Sequence, residues 1–176
     1  MTLAQSLLAE FEQEAQTTRR FLERLPEDKL TWKPHPKSMT AGQLALHIAG
    51  APSQVLELCK LDPAPAPDFN RPNPQPATLR EVLDAHEQSV SAVQSELPKY
   101  DDRRMHSTWR AVKDGHEIVS MPRATFLRSI MLNHWYHHRG QLGVYLRLVG
   151  AKVPSSYGPS GDELPDFMKP QPVGAH

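Results

Sequence analysis

The sequence predicts an all-α protein: a four-helix bundle with a small β-hairpin inserted before the last helix. Three observations predict it. Four segments of roughly 20 to 28 residues repeat apolar side chains at the three-and-four spacing of a core-facing helix. The 17 prolines of the 176-residue chain cluster between those segments, so the connections are longer than simple hairpins. One stretch, 105–121, abandons the helical period and reads as two short extended runs about an Asp114-Gly115 turn. Long amphipathic helices with long connections are the pattern of a bundle.

The first helix spans 2–25, with Leu3, Leu7, Phe11, Ala15, Thr18, Leu22 and Leu25 on its inner face. Pro26 ends it, and 26–39 is a rigid connection whose Trp32 packs onto the bundle. Ser38 or Thr40 caps the second helix, which runs to about Leu61. Its stripe is Leu44, His47, Ala51, Val55 and Leu58, and Gly50 and Pro52 are positions where it can bend. The proline-rich 62–77 reads as an extended linker over the surface.

Thr78 and Glu81 form a capping box at the start of the third helix. Its stripe is Leu79, Val82, His86, Val90, Val93 and Leu97, and Pro98 ends it. After the hairpin, Pro122 opens the fourth helix in its first turn and Gly150 closes it. The stripe there is Leu127, Ile130, His134, His138, Gln141, Tyr145 and Leu148. Residues 151–165 are turn-forming and are expected to fold back on the bundle. The expectation is a single domain, 1–165, with a flexible tail, 166–176.

Composition narrows the function. Twenty basic and twenty acidic side chains cancel, which gives no reason to expect a nucleic-acid partner or an anionic membrane surface. No apolar run approaches the roughly 18 residues a spanning helix needs, and the first residues lack the features of a signal peptide. The cytoplasm is the expected compartment. The single cysteine, Cys59, excludes an internal disulfide and reads as a small buried hydrophobe. Nine histidines against one cysteine mean that any metal site uses nitrogen and oxygen ligands.

The histidines on the helix stripes are the chemical signal. His134 and His138, at i and i+4, lie one above the other on one helix face, with Cβ atoms roughly 6 Å apart. Imidazoles at positions that favour leucine cost desolvation unless something satisfies them. His47 falls on the stripe of another helix. A lone histidine such as His86 is more simply a hydrogen-bonded core residue. Three on two helices match a catalytic zinc geometry, with a fourth position open to water or substrate. Neutral imidazoles need partners on their other nitrogens, and Asn133, Gln141 and backbone carbonyls are available. His137 flanks the site. His35, His106, His116 and His176 read as solvated. Arg139 and Arg147 read as solvated or interface charges, and Trp135 and Tyr136 as packing residues.

His47-Ile-Ala-Gly50, His134-Trp-Tyr-His-His138-Arg-Gly-Gln-Leu142 and Val153-Pro-Ser-Ser-Tyr-Gly-Pro-Ser160 resemble the DinB-like (YfiT-like) metal-dependent proteins. The resemblance covers nearly the whole chain in order. It implies an up-down-down-up four-helix bundle, a homodimer, and one divalent metal ion per chain, nickel or zinc, on His47, His134 and His138. The wider superfamily includes transferases and isomerases that use low-molecular-weight thiols. Thiol-dependent S-transfer, isomerisation and hydrolysis are therefore the reactions to test, with His137, Tyr157 and Asp162 as candidate bases if the tail folds over the metal. A metal-binding, stress-response homodimer without turnover is the alternative, and a plain structural bundle the third reading.

Overall fold

The computed structural model describes residues 1–68 and 72–169. Four long helical runs carry most of it. They are α1 (Leu3–Glu23), α2 (Ala41–Lys60), α3 (Leu79–Glu96) and a last run in three continuous pieces. Those pieces are α5 (Arg123–Phe126), a π-helical stretch (Leu127–Asn133) and α6 (His134–Leu148), with the five-residue α4 (Asp102–His106) before the hairpin. α1 packs on α3 and α6, and α2 packs on the same two.

The helix starts follow from side-chain caps. Thr2 with Gln5, and Thr40 with Gln43, make reciprocal capping boxes. Thr40, not Ser38, is therefore the cap of α2. Thr78 accepts from Glu81 N, but the Glu81 carboxylate turns to Ala77 N, so only half of the expected box forms there.

The hairpin is β2 (Thr108–Lys113) and β3 (His116–Pro122), antiparallel, with an irregular register at Ala111/Val112. Asp114 (φ 52°) and Gly115 (φ 79°) both lie in the left-handed region that a two-residue hairpin turn requires. Two expectations are corrected here. Met105 and His106 belong to α4, capped by Asp101, and not to the hairpin. The linker after α2 is not wholly a surface strap: β1 (Ala64–Pro65) pairs parallel to β2, and Ala64 is buried. The fold is thus mostly helical with a three-stranded sheet, rather than all-α with a hairpin alone. Residues 69–71 of that linker fall outside the described residues.

Phe11, Leu22, Leu44, Ile48, Leu56, Leu127, Met131, Leu132 and Trp135 are fully buried between the long helices. The seam of the last run differs from the expected stripe. The buried positions include Leu127, Met131, Leu132, Trp135, Arg139, Leu142 and Leu146, whereas Ile130 and Leu148 are exposed. The π-helical stretch is the reason. Its i→i+5 turn takes in one extra residue, so everything after it lags the α-helical phase by one position, about 100°. His134 and His138 accordingly sit half-buried at the rim of the core, facing α2, instead of at its centre.

Residues 151–165 do fold back, over α1 and α6. Glu163 pairs with Arg24 at 2.6 Å and Arg20 at 3.6 Å, and Asp162 pairs with Arg147 at 2.7 Å. Of the expected flexible tail, Asp166–Met168 form one 3-10 turn. Residues 170–176, His176 among them, lie outside the described residues.

Candidate metal centre

α2 and α6 run antiparallel, as two cross-links show. Trp135 Nε1 donates to Ile48 O at 2.8 Å, and Tyr145 OH donates to Met39 O at 3.3 Å. The first link follows from Pro52. Proline has no N–H to return to the carbonyl four residues earlier, so Ile48 O is available and the Trp135 indole takes it. Ser53 N turns instead to Ser89 Oγ on α3, at 3.0 Å. Trp135, stacked on Phe11 with centroids 5.2 Å apart, therefore fixes α6 against α2 one residue from His134 and one from His47.

That register brings together the three histidines nominated from the sequence. Ring centroids are 5.3 Å apart for His47–His134, 4.6 Å for His47–His138 and 4.3 Å for His134–His138. One nitrogen from each ring falls within 4.8 Å of the others, and no other group of this kind occurs among the described residues. Around one tetrahedral zinc at about 2.0–2.1 Å, ligand nitrogens lie roughly 3.3 Å apart. The His134 and His138 Nε2 atoms stand 2.9 Å apart and all three ligand nitrogens lie within 4.8 Å, on the scale of that spacing.

The donor chemistry fits a cation. His138 Nδ1 lies 2.7 Å from Gln141 Oε1, an oxygen that only accepts, so the ring's proton sits on Nδ1. Its Nε2 lone pair then points at His134 Nε2, 2.9 Å away. His134 Nδ1 is buried without a partner. Of the two side-chain partners considered from the sequence, Gln141 is the one that holds a ring nitrogen, that of His138.

Electrostatics keep the rings neutral. Burial, and then His138 and His134, hold His47 down to about 4. Burial, and then His138 and His137, hold His134 down to about 4. Burial lowers His138 as well, against the opposing pull of Gln141. Neutral imidazole is the form that binds metal.

The other nominated residues lie elsewhere. His86 is buried, with Nε2 3.2 Å from Ala15 O, in keeping with a structural role. His137 is exposed, its ring 5.0 Å from that of His138. His35, His106 and His116 are exposed. Cys59 is fully buried, and burial pushes its thiol up to about 11, in keeping with a small buried hydrophobe. Tyr157 and Asp162 do not serve the histidines. The Tyr157 hydroxyl bonds Glu14 and Arg139, and Asp162 holds Arg147 and Val153 N.

Arg139 is the main correction. It is not solvated but 2% exposed, paired with Glu14 at 2.6 Å and bonded to Thr18 Oγ1 at 3.1 Å. The sequence hides this because a lone arginine after two histidines carries no sign of its partner, which lies 125 positions away on α1.

Comparison with known proteins agrees with this architecture. The family model of the DinB family matches residues 1–167. YrdA of Bacillus subtilis (strain 168) is 28% identical over 162 residues, covering 91% of either chain. A DinB-like protein of Bacillus cereus ATCC 10987 superposes with a TM-score of 0.69 at 25% identity, over 87% of this chain and 97% of that one. The DinB-like YjoA of Bacillus subtilis gives 0.65 at 18% identity, over 86% and 96%.

Proposed function

The chain belongs to the DinB family, and from that premise we propose that it is a metal-dependent enzyme built on a four-helix bundle, with one nickel or zinc ion held by His47, His134 and His138. The observation that carries this reading is the cluster itself: three neutral imidazoles from two helices converge with no carboxylate among them. Three protein ligands leave a position open for a reacting molecule. When bound, the ion would lower the pKa of a water or thiol, or polarise a carbonyl. The chain's own groups do the positioning. Gln141 holds the His138 tautomer, and the Trp135–Ile48 link holds the spacing of α6 from α2.

Thiol S-transfer, isomerisation and hydrolysis on a small molecule are the reactions we propose to test. Low-molecular-weight thiols are the first candidate substrates. A homodimer fits the apolar Val144 and Leu148, exposed on the outer face of α6. No described helix is long and apolar enough to cross a membrane, and the balanced charge suits a cytoplasmic protein with no nucleic-acid partner. One observation favours a metal-binding dimer without turnover: Tyr157 and Asp162, two of the candidate bases, are engaged away from the histidines.

Elemental analysis of purified protein tests the centre. His47→Ala, His134→Ala and His138→Ala should each lose nearly all metal, because two imidazoles are too few for tight binding. His137→Ala and His86→Ala should keep it. Full occupancy in any of the first three, in folded protein, breaks the assignment.

A further inference from the structure

From Ala41 to Leu56, α2 carries no ionisable side chain except His47. On that face, Gln54 follows His47 by seven residues, two turns on. Gln54 is exposed, but its carboxamide does not simply extend into water. Its Nε2 lies 2.9 Å from the point where a Cβ on residue 50 would stand. The amide therefore folds back over Gly50, one turn from His47. The backbone does not require this glycine, since the positive-φ glycines among the described residues are Gly115 and Gly150. Glycine inside a helix costs about 1 kcal/mol relative to alanine. What residue 50 provides is space, and the Gln54 amide fills it. Across the antiparallel pairing of α2 and α6, Ile130 stands one turn before His134 and is 38% exposed.

We propose that Gln54 is a ligand-binding carboxamide of the metal centre, a specificity-determining contact that rests on the metal-dependent reading above. The chemistry defines the ligand class. Three neutral imidazoles leave the dipositive charge of the ion whole, so the open position takes an anionic donor atom. The Gln54 amide, folded over Gly50 about one helical turn (roughly 5 Å) along the α2 axis from His47, recognises a carbonyl, carboxamide or carboxylate on the same molecule. Ile130 gives the short alkyl link between the two groups an apolar wall. The ligand is thus a small bifunctional anion, rather than a bare anion or a large apolar molecule.

Cobalt-loaded protein tests this with two thiols, 3-mercaptopropionamide and 1-propanethiol, followed by sulfur-to-metal charge-transfer absorption. Wild type should bind the amide-bearing thiol about three- to tenfold more tightly, the worth of one hydrogen bond. Gln54→Ala should abolish that preference and leave propanethiol affinity unchanged. Gly50→Ala, which occupies the amide's place, should do the same. A preference that survives in Gln54→Ala, or equal wild-type affinity for the two thiols with metal bound, overturns the proposal alone. Failure of the wild type to take up metal overturns the reading beneath it.

Discussion

Two faces of α6 bury polar groups side by side, and they treat them oppositely. Toward α1, Arg139 is buried, but every demand it makes is met within the chain: Glu14, Thr18, the Tyr157 hydroxyl and the Tyr136 and Tyr157 rings surround it. Toward α2, one residue earlier in sequence, His138 meets His134 and His47, and the three have no countercharge among them. His134 Nδ1 has no partner at all. A satisfied buried network closes on itself and holds structure. A half-buried cluster of neutral rings with one unpartnered nitrogen and no countercharge is suited to something from outside. The difference separates support from site on a single helix.

Removing the support should have the largest effect. Arg139→Met leaves Glu14 buried without its partner, and breaking a buried pair costs about 3–5 kcal/mol. Urea unfolding should show that loss. Glu14→Gln combined with Arg139→Met should recover most of it, because no lone charge remains. Metal content of the folded double variant should match the wild type. A single variant within about 1 kcal/mol of wild type would mean that the network holds little.

Acid should act on the histidine face. In metal-free protein His47 and His134 stay neutral down to about 4, against 6.5 for the free side chain. Between those values the unfolded chain binds more protons than the folded one. Stability is therefore full above the upper value and falls as pH drops through the window. Thermal unfolding should show a falling melting temperature there, with a shallower slope in His47→Ala. Arg139→Met keeps all three histidines and should retain the histidine-dependent fall. Parallel slopes in the three proteins would remove the distinction.

The difference between the faces also explains what was legible in the sequence. His134 and His138 are four apart on one helix, so local periodicity is enough to pair them. His47 joined them because it too sits on an amphipathic stripe. Their depth was misjudged, since the π-helical stretch before His134 shifts the phase and no residue in Leu127–Asn133 announces an i→i+5 turn. Thr40 and Asp114-Gly115 act within a few residues, and those features could be read. Arg139–Glu14, Ala64 against β2 and Gln54 over Gly50 depend on packing. The first two join distant segments, and the third depends on an absent Cβ.

The smallest effect distinguishes a strap from a lid. Tyr157 lies on the segment that folds back after α6, and its hydroxyl donates to Glu14 at 3.0 Å and accepts from Arg139 at 2.7 Å. If the segment serves the support face, Tyr157→Phe removes two hydrogen bonds but leaves the Arg139–Glu14 pair intact. The side chain is 66% exposed, so water replaces part of what is lost. The expected destabilisation is about 1 kcal/mol. Metal affinity and thiol binding should not change, because the ring rests on the α1 side of α6. If the segment instead closes over the histidines, the same variant should weaken ligand binding while hardly altering urea unfolding. Measuring both on one preparation decides which face the segment belongs to.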